Sequence, residues 1–294
     1  MNRPVLIILI GIPGSGKTTY AQQYMLNSHK SVAHISSDEI RKELYNSESI
    51  QGNPAEVFSL MQKRAIEALN EGKDVIYDAT NITRKDRSSI IGICPKFAKI
   101  EAHIIWAPIE VCIERDATRD RTVGKAIIDK MLKRFQAPYY DEGIDEIVIV
   151  RPDFWDWDGH NYAEECFANM RIPHDNPHHT LDVIDHCWEA ERYLFNKDII
   201  DEDLLFAALR HDIGKPYVKA FLNSKGNPCE QAHYYQHQCV GAWLSYGFGS
   251  ITPYSAWLIS VHMDPFLNTK YYKSLPTFLK KRVDLLHESD LAAH

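Results

Sequence analysis

Six consecutive residues near the start, Val5 to Ile10, are apolar without interruption, which reads as a core strand. Further short apolar or β-branched runs recur at 32–36, 75–78, 101–107 and 147–150. The segments between them are long enough for crossover helices. In 54–71, for instance, Val57, Leu60, Met61, Ala65 and Leu69 repeat at helical spacing. Strands alternating with helices predict an α/β domain over residues 1–150, a parallel sheet with helices on both faces. In such sheets ligands collect beyond the carboxyl ends of the strands.

The alternation stops in 151–170, where Phe154, Trp155 and Trp157 stand among aspartates. Three large rings would not be left in water, so this segment reads as an aromatic linker that anchors rather than a loose tether. From 171 to 294 no strand pattern or internal repeat is visible and the chain reads as all-α. That stretch holds ten of the 14 histidines.

Composition narrows the setting. The 294 residues, 45% hydrophobic, suffice for two ordinary cores. With 33 Lys plus Arg against 40 Asp plus Glu, the chain is too acidic to coat nucleic acid non-specifically, yet a local basic groove stays possible. Six cysteines form no C-x-x-C pair and no regular framework. Together with the lack of a secretory leader or an apolar run of membrane length, they predict a soluble cytoplasmic protein with free thiols.

The first strand runs straight into Gly11-Ile12-Pro13-Gly14-Ser15-Gly16-Lys17-Thr18, and a helix-prone stretch follows. Strand, G-x-x-x-x-G-K-[ST] and helix together form a phosphate-binding loop. Gly11, Gly14, Ser15 and Gly16 let the backbone wrap a polyphosphate, Lys17 reaches its β- and γ-phosphates, and Thr18 holds Mg²⁺. Asp38, at the end of the second strand, can accept the proton of an attacking hydroxyl, or simply cap a helix over 39–45. Arg41, one turn on, either holds an acceptor phosphate or is a solvated charge. Asp78 ends the third strand, where it can hold magnesium through water, position substrate, or serve a turn. In 114–134, Arg115 and Arg119 are four apart, the spacing of one helix face, and suit a lid that lowers two guanidiniums onto phosphates. The other reading of that stretch is a charged surface helix.

Phosphate loop, Ser37-Asp38-Glu39-Ile40-Arg41, Asp78-Ala79-Thr80-Asn81 and the arginine-rich stretch together resemble the polynucleotide 5′-kinase family of phage and bacterial end-healing enzymes, over about 5–140. The resemblance implies ATP and Mg²⁺ on Lys17 and Thr18, and Asp38 as general base on a 5′-hydroxyl. It also implies Arg41 on the acceptor phosphate and Arg115 with Arg119 in the lid.

The helical half carries His179-Thr180-Leu181, His211-Asp212-Ile213-Gly214-Lys215, His233, His237, His262 and Asp290. His211 and Asp212 can both ligate from a helix end, with His179 and Asp290 completing the shell. His237 and His262 can take a second ion. Imidazole mixed with carboxylate suits Mn²⁺, Ni²⁺, Co²⁺, Fe²⁺ or Mg²⁺. His186 falls two turns after His179 and can reach the same cleft, whereas His233 is open between ligand, substrate contact and surface. The chain stops four residues past Asp290, which leaves open a clipped last helix.

The order H…HD…H…H…D with the phrase HDIGK resembles the HD phosphohydrolase superfamily over about 172–294. It implies His179 rather than His178 as first ligand, and Lys215 on a substrate phosphate. The two resemblances jointly imply a bifunctional RNA end-healing enzyme. Its partners would be ATP and RNA ends; the hydrolase half would act on 2′,3′-cyclic, 2′- or 3′-phosphate ends. Two other readings stand beside it: a small-molecule kinase fused to a nucleotidase, and a non-catalytic ATP-gated switch. Oligomerisation is left open.

Overall fold

The computed structural model describes residues 3–47, 52–119, 121–151, 159–177 and 180–293, with the side chains at 159 and 160 left aside. The chain divides into two compact units: Met1–Met131 with Pro138–Trp155, and Leu132–Ala137 with Asp156–His294.

The first unit runs β1 (Val5–Ile10), α1 (Lys17–Asn27), β2 (Val32–Ser36), α2 (Ser37–Tyr45), α3 (Pro54–Asn70), β3 (Asp74–Asp78), α4 (Arg84–Ile91), β4 (Lys99–Ile105), α5 (Ile109–Ala117), α6 (Lys125–Leu132) and β5 (Glu146–Val150). The strands form one sheet in the order β2-β3-β1-β4-β5, every pairing parallel. Leu6 through Ile10 are all fully buried, so both faces of the central strand are covered. On one face α1 brings Ala21 onto Ile7, Leu9, Ile76 and Ile105, with Tyr20 and Tyr24 at the margin. At ~25 cal/mol per Å² of apolar area, each such buried aliphatic side chain contributes about 1.5–3 kcal/mol. All five strands fall within two residues of the expected runs. Arg87 of α4 is fully buried and forks onto Glu142 at 2.7 and 2.6 Å.

One helix across 114–134 is not what forms. α5 ends at Ala117, capped at Thr118, and α6 starts only at Lys125. The cause is the buried Asp116, whose carboxylate accepts the backbone N–H groups of Val123 and Gly124 at 2.8–3.2 Å, bonds that a continuous helix cannot make.

The second unit contains α7 (Gly159–Asn169), α8 (Val183–Asn196), α9 (Glu202–Ala208), α10 (Lys215–Val218), β6 (Ala220–Leu222), β7 (Pro228–His233), α11 (His237–Ser245), α12 (Pro253–Val261), α13 (Asp264–Leu267), α14 (Lys270–Ser274) and α15 (Thr277–Ala292). α8 packs on α15 and α9, and α11 on α12. The expectation of an all-α half needs correction, because β6 and β7 pair antiparallel. Their turn explains why no strand signal was visible: Asn223 Oδ1 accepts from the N–H groups of Lys225 and Asn227, and Gly226 supplies φ +79°. β6 is only three residues, with Phe221 and Leu222 exposed, and β7 is mostly polar. Leu132–Ala137, far upstream, joins this unit's core: Phe135 is fully buried, edge-on to Trp243 and Tyr246, and Ser260 Oγ accepts from Ala137 N–H.

Of the aromatic linker, residues 152–158 lie outside the described residues. All six cysteines are free, and among the described residues no helix is long and apolar enough to cross a membrane.

Candidate active sites

The phosphate loop leaves β1 at Gly11, whose N–H donates to Thr80 O at 3.1 Å. Gly14 sits at φ +82°, and a Cβ there would lie 2.1 Å from Cys112 O; glycine is obligatory on both counts. Lys17, first residue of α1, turns its amine back to the carbonyl oxygens of Gly11 (2.9 Å) and Ile12 (3.0 Å). Burial pushes its pKa down, and the nearby Asp78 charge opposes the shift only in part. The Ser15 hydroxyl is buried with no hydrogen-bond partner among the described residues. A phosphate oxygen in the loop would satisfy it, so the residues fit a bound polyphosphate.

Thr18 Oγ1 donates to Asp78 Oδ2 at 3.2 Å, which places two oxygen ligands suited to Mg²⁺ at the carboxyl ends of the sheet. His34 of β2, 3.1 Å from the same Asp78 oxygen, fixes that carboxylate from the other side.

Asp38 lies in the first turn of α2. The capping role considered for it belongs to Ser36, whose hydroxyl accepts from Asp38 and Glu39 N–H. The Asp38 side chain is thereby free to face the cleft. Arg41 Nη1 donates to its Oδ1 at 2.7 Å and Arg121 Nη1 at 3.0 Å. Sequence reasoning did not single out Arg121, though it stands in the basic stretch that was marked. Arg115 and Arg119 do not share a helical turn, since α5 ends between them. Both nevertheless reach the loop region: Arg115 Nη1 donates to Gly14 O at 3.5 Å, and Arg119 lines the cleft. That cleft holds about 600 Å³ and brings Lys17, Thr18, Asp78, Asp38, Arg41 and Arg121 to one space.

In the second unit the turn between α9 and α10 carries His211 and Asp212, both buried. Two ligand-competent groups share the Asp212 carboxylate: His186, His211, Asp212 and Asp290 on one side, Asp212, His237 and His262 on the other. On the first side His186 Nε2 lies 2.9 Å from Asp290 Oδ1 and 3.2 Å from His211 Nε2. On the second, His237 Nε2 is 3.1 Å from Asp212 Oδ1 and 3.0 Å from His262 Nε2. Each ring is held from behind. The Nδ1 atoms of His186, His211, His237 and His262 face the carbonyls of Ala293, Ala208, Tyr234 and Ile259 at 2.7–2.8 Å. In a neutral ring such as His262, an Nδ1–H donated to a carbonyl leaves Nε2 as a lone pair, whereas His186 and His211 donate from Nε2 to Asp290 only when protonated. Facing lone pairs 3.0 Å apart repel, and a cation between them turns repulsion into ligation, so this donor set fits a divalent metal.

Charges around Asp212 are arranged to match. Burial would raise its pKa, but Lys215, with Nζ 2.5 Å away, and His211 hold it well below the usual carboxylate range. Asp290 is likewise held low, hydrogen bonds from His186 and His211 outweighing burial. Burial and the neighbouring His237 and His211 push His262 down to about 3, so it stays neutral at ordinary pH.

Gly214 lets this assembly close. A Cβ there would sit 2.1 Å from His237 O and 2.6 Å from Gly241 N, so α10 and α11 approach only over bare glycine. Of the expected ligands, His211, Asp212, His237, His262 and Asp290 converge. His179 lies outside the described residues. His186 occupies the cluster, brought there by α8 packing on α15. His174, not foreseen, stands 4.0 Å from Asp212 Oδ2, with its ring edge-on to His186. His233 stays apart, stacked on Tyr235. A second cavity, about 610 Å³, opens beside Asp212, Lys215, His237 and Asp290.

Comparison with known proteins adds the following. Residues 6–138 match the family described as an AAA domain. The chain is 30% identical over 158 residues to transcription factor bHLH140 of Arabidopsis thaliana, an alignment that covers 51% of this chain but spans only 16% of that protein. Solved structures with local likeness include two Pnkp1/Rnl/Hen1 complexes. One is 22% identical (TM-score 0.37; 42% of this chain, 43% of that one); the other, described as an RNA repair complex, is 24% identical (TM-score 0.41; 46% and 44%). A gluconokinase from Sinorhizobium meliloti 1021 is 15% identical (TM-score 0.36; 51% and 84%).

Proposed function

We propose that the chain is a bifunctional nucleic-acid end-healing enzyme, an ATP-dependent 5′-hydroxyl kinase joined to a metal-dependent phosphohydrolase. The observation that carries the kinase half is one cleft in which phosphate-loop Lys17 and Thr18 meet Asp38 with its arginines. In the reaction the acceptor hydroxyl attacks the γ-phosphorus of ATP, a new O–P bond forms, and the β–γ bridge oxygen leaves with ADP. Asp38 takes the hydroxyl proton, and Arg41 and Arg121, now bonded to it, hold it toward the cleft and are placed to bind an acceptor phosphate. Lys17, Arg115 and Arg119 offset charge developing on the transferring group. Mg²⁺ on Thr18 and Asp78 would neutralise the β- and γ-oxygens.

In the helical unit, His186, His211, Asp212, His237, His262 and Asp290 would hold one or two divalent ions such as Mn²⁺, Ni²⁺, Co²⁺ or Fe²⁺, which would polarise a phosphoryl oxygen. Lys215 supplies a fixed positive charge to a phosphate there. The expected substrates are 2′,3′-cyclic, 2′- or 3′-phosphate ends, which place the two reactions on opposite sides of one RNA break.

Label from γ-labelled ATP should pass to a 5′-hydroxyl RNA oligonucleotide, and Lys17→Ala and Asp38→Ala should each abolish transfer. ATP binding without any labelled oligonucleotide would sink the kinase reading. Opening of a 2′,3′-cyclic phosphate end to a phosphomonoester, or phosphate release from a 2′- or 3′-phosphate end, with added Mn²⁺ and lost in Asp212→Ala, tests the other half. Equal labelling of a free nucleoside would point to a small-molecule kinase instead.

A further inference from the structure

The cavity beside the histidine cluster is more apolar than phosphate chemistry requires. At about 610 Å³ it is the size of a small-molecule site. Asp212 and Lys215 form one end, while Tyr235, Phe266, Leu267 and Leu291 form walls. These walls are unusually open to solvent: Phe266 is 69% exposed, Leu291 57%, Leu267 53% and Tyr235 46%. Large apolar groups gathered in water at one concave place mark a surface that a ligand covers. Tyr235 is also pre-set, its ring parallel to that of His233 at 5.3 Å and 6°. Gln236 and Gln238 share the cavity and carry both amide donors and acceptors. Gln236 is held there at φ +65°, a conformation costly for a residue with a side chain.

A ligand must therefore offer a phosphate, a flat apolar body and a hydrogen-bonding edge. A sugar phosphate lacks the second and an alkyl phosphate the third. We propose that this cavity is a nucleobase subsite, in which the base of a nucleoside phosphate or of a terminal nucleotide lies against Phe266 and Tyr235 and presents its edge to Gln236 and Gln238. Its phosphoester then reaches the Asp212–Lys215 end. The proposal rests on the phosphohydrolase reading for that orientation, and it names nucleotides as the substrate class.

The test is calorimetric titration of the intact Mn²⁺-loaded chain, its phosphate-loop cleft first saturated with a non-hydrolysable ATP analogue, with three non-hydrolysable probes: an adenosine phosphonate, methylphosphonate and decylphosphonate. The adenosine compound should bind on the order of tenfold or more tighter than methylphosphonate, the range of base–aromatic stacking. Phe266→Ala and Tyr235→Ala should each collapse that ratio; with Phe266 so exposed, its removal leaves the packing intact. A ratio unchanged in both variants, or a preference for decylphosphonate, overturns the subsite while leaving the hydrolase reading in place. Should methylphosphonate fail to bind and no phosphoester be hydrolysed, the hydrolase reading falls. Loss of adenosine phosphonate affinity in Phe266→Ala would still uphold the base subsite in that case.

Discussion

Replacing Gly214 with alanine separates steric closure from backbone freedom. Its φ of −79° and ψ of −15° are ordinary, so the backbone itself accepts alanine and would gain a few tenths to about 1 kcal/mol from a stiffer unfolded chain. Space is what forbids it. The new Cβ would stand 2.1 Å from His237 O and 3.0 Å from His237 C, against the 3.4 Å at which ordinary contact begins. The start of α11 must retreat by more than 1 Å, and both obstructing atoms are backbone. His237 is the first residue of α11, so its Nε2 leaves Asp212 and His262 together. Forced overpacking costs about 1–3 kcal/mol, which at ~4 °C per kcal/mol lowers Tm by about 4–12 °C. Thermal melts followed by circular dichroism, with bound metal counted on the same samples, give both readouts. Gly226→Ala is the control: at φ +79° with nothing within 4 Å, it suffers backbone strain of about 1 kcal/mol and keeps its metal. A Gly214→Ala protein that melts with the wild type and retains full metal would refute the closure argument.

Removing metal with EDTA should lower Tm, by about 2.7 kcal/mol of stability if the ion had been present at a hundredfold over its Kd. His262→Ala should reduce bound metal per chain, while Asp212→Ala, which both groups share, should remove it all; equal metal content in the two variants would contradict the shared-carboxylate geometry. Arg87→Met leaves the buried Glu142 without its fork and should cost about 3–5 kcal/mol in denaturant unfolding, with Arg87→Lys a poor substitute. Glu101 is held at about 2 by its hydrogen bond from His103 and by Lys99, against burial. Its folded pKa is below its unfolded one, so the stability it contributes is complete above about pH 4.5 and fades as pH falls toward 2. The gap between wild type and Glu101→Gln should therefore narrow over that window; a gap independent of pH would show that the network does not act through the carboxylate charge.

The five strands, the phosphate loop, the first α/β unit and most of the histidine set were legible because each is written locally. An unbroken apolar run, a glycine spacing or a phrase such as HDIGK needs only its own neighbours to be recognised. What escaped depends on partners distant in sequence. The helix expected across 114–134 is broken by Asp116, whose buried carboxylate prefers the N–H groups of Val123 and Gly124 to solvent. Ser36 rather than Asp38 caps α2, a choice between two good capping residues that the sequence leaves open. In the β6–β7 hairpin, β6 is only three residues long and β7 is mostly polar, so neither offers an apolar alternation to read. Arg121 is one arginine among several until the loop folds it onto Asp38, 83 positions away. Sequence determined which residues could bind phosphate or metal. Only the packing of α8 on α15, which sets His186 2.9 Å from Asp290 across 104 positions, decided which of them meet. Side-chain chemistry is local, whereas the convergence of lone pairs is a property of how helices pack.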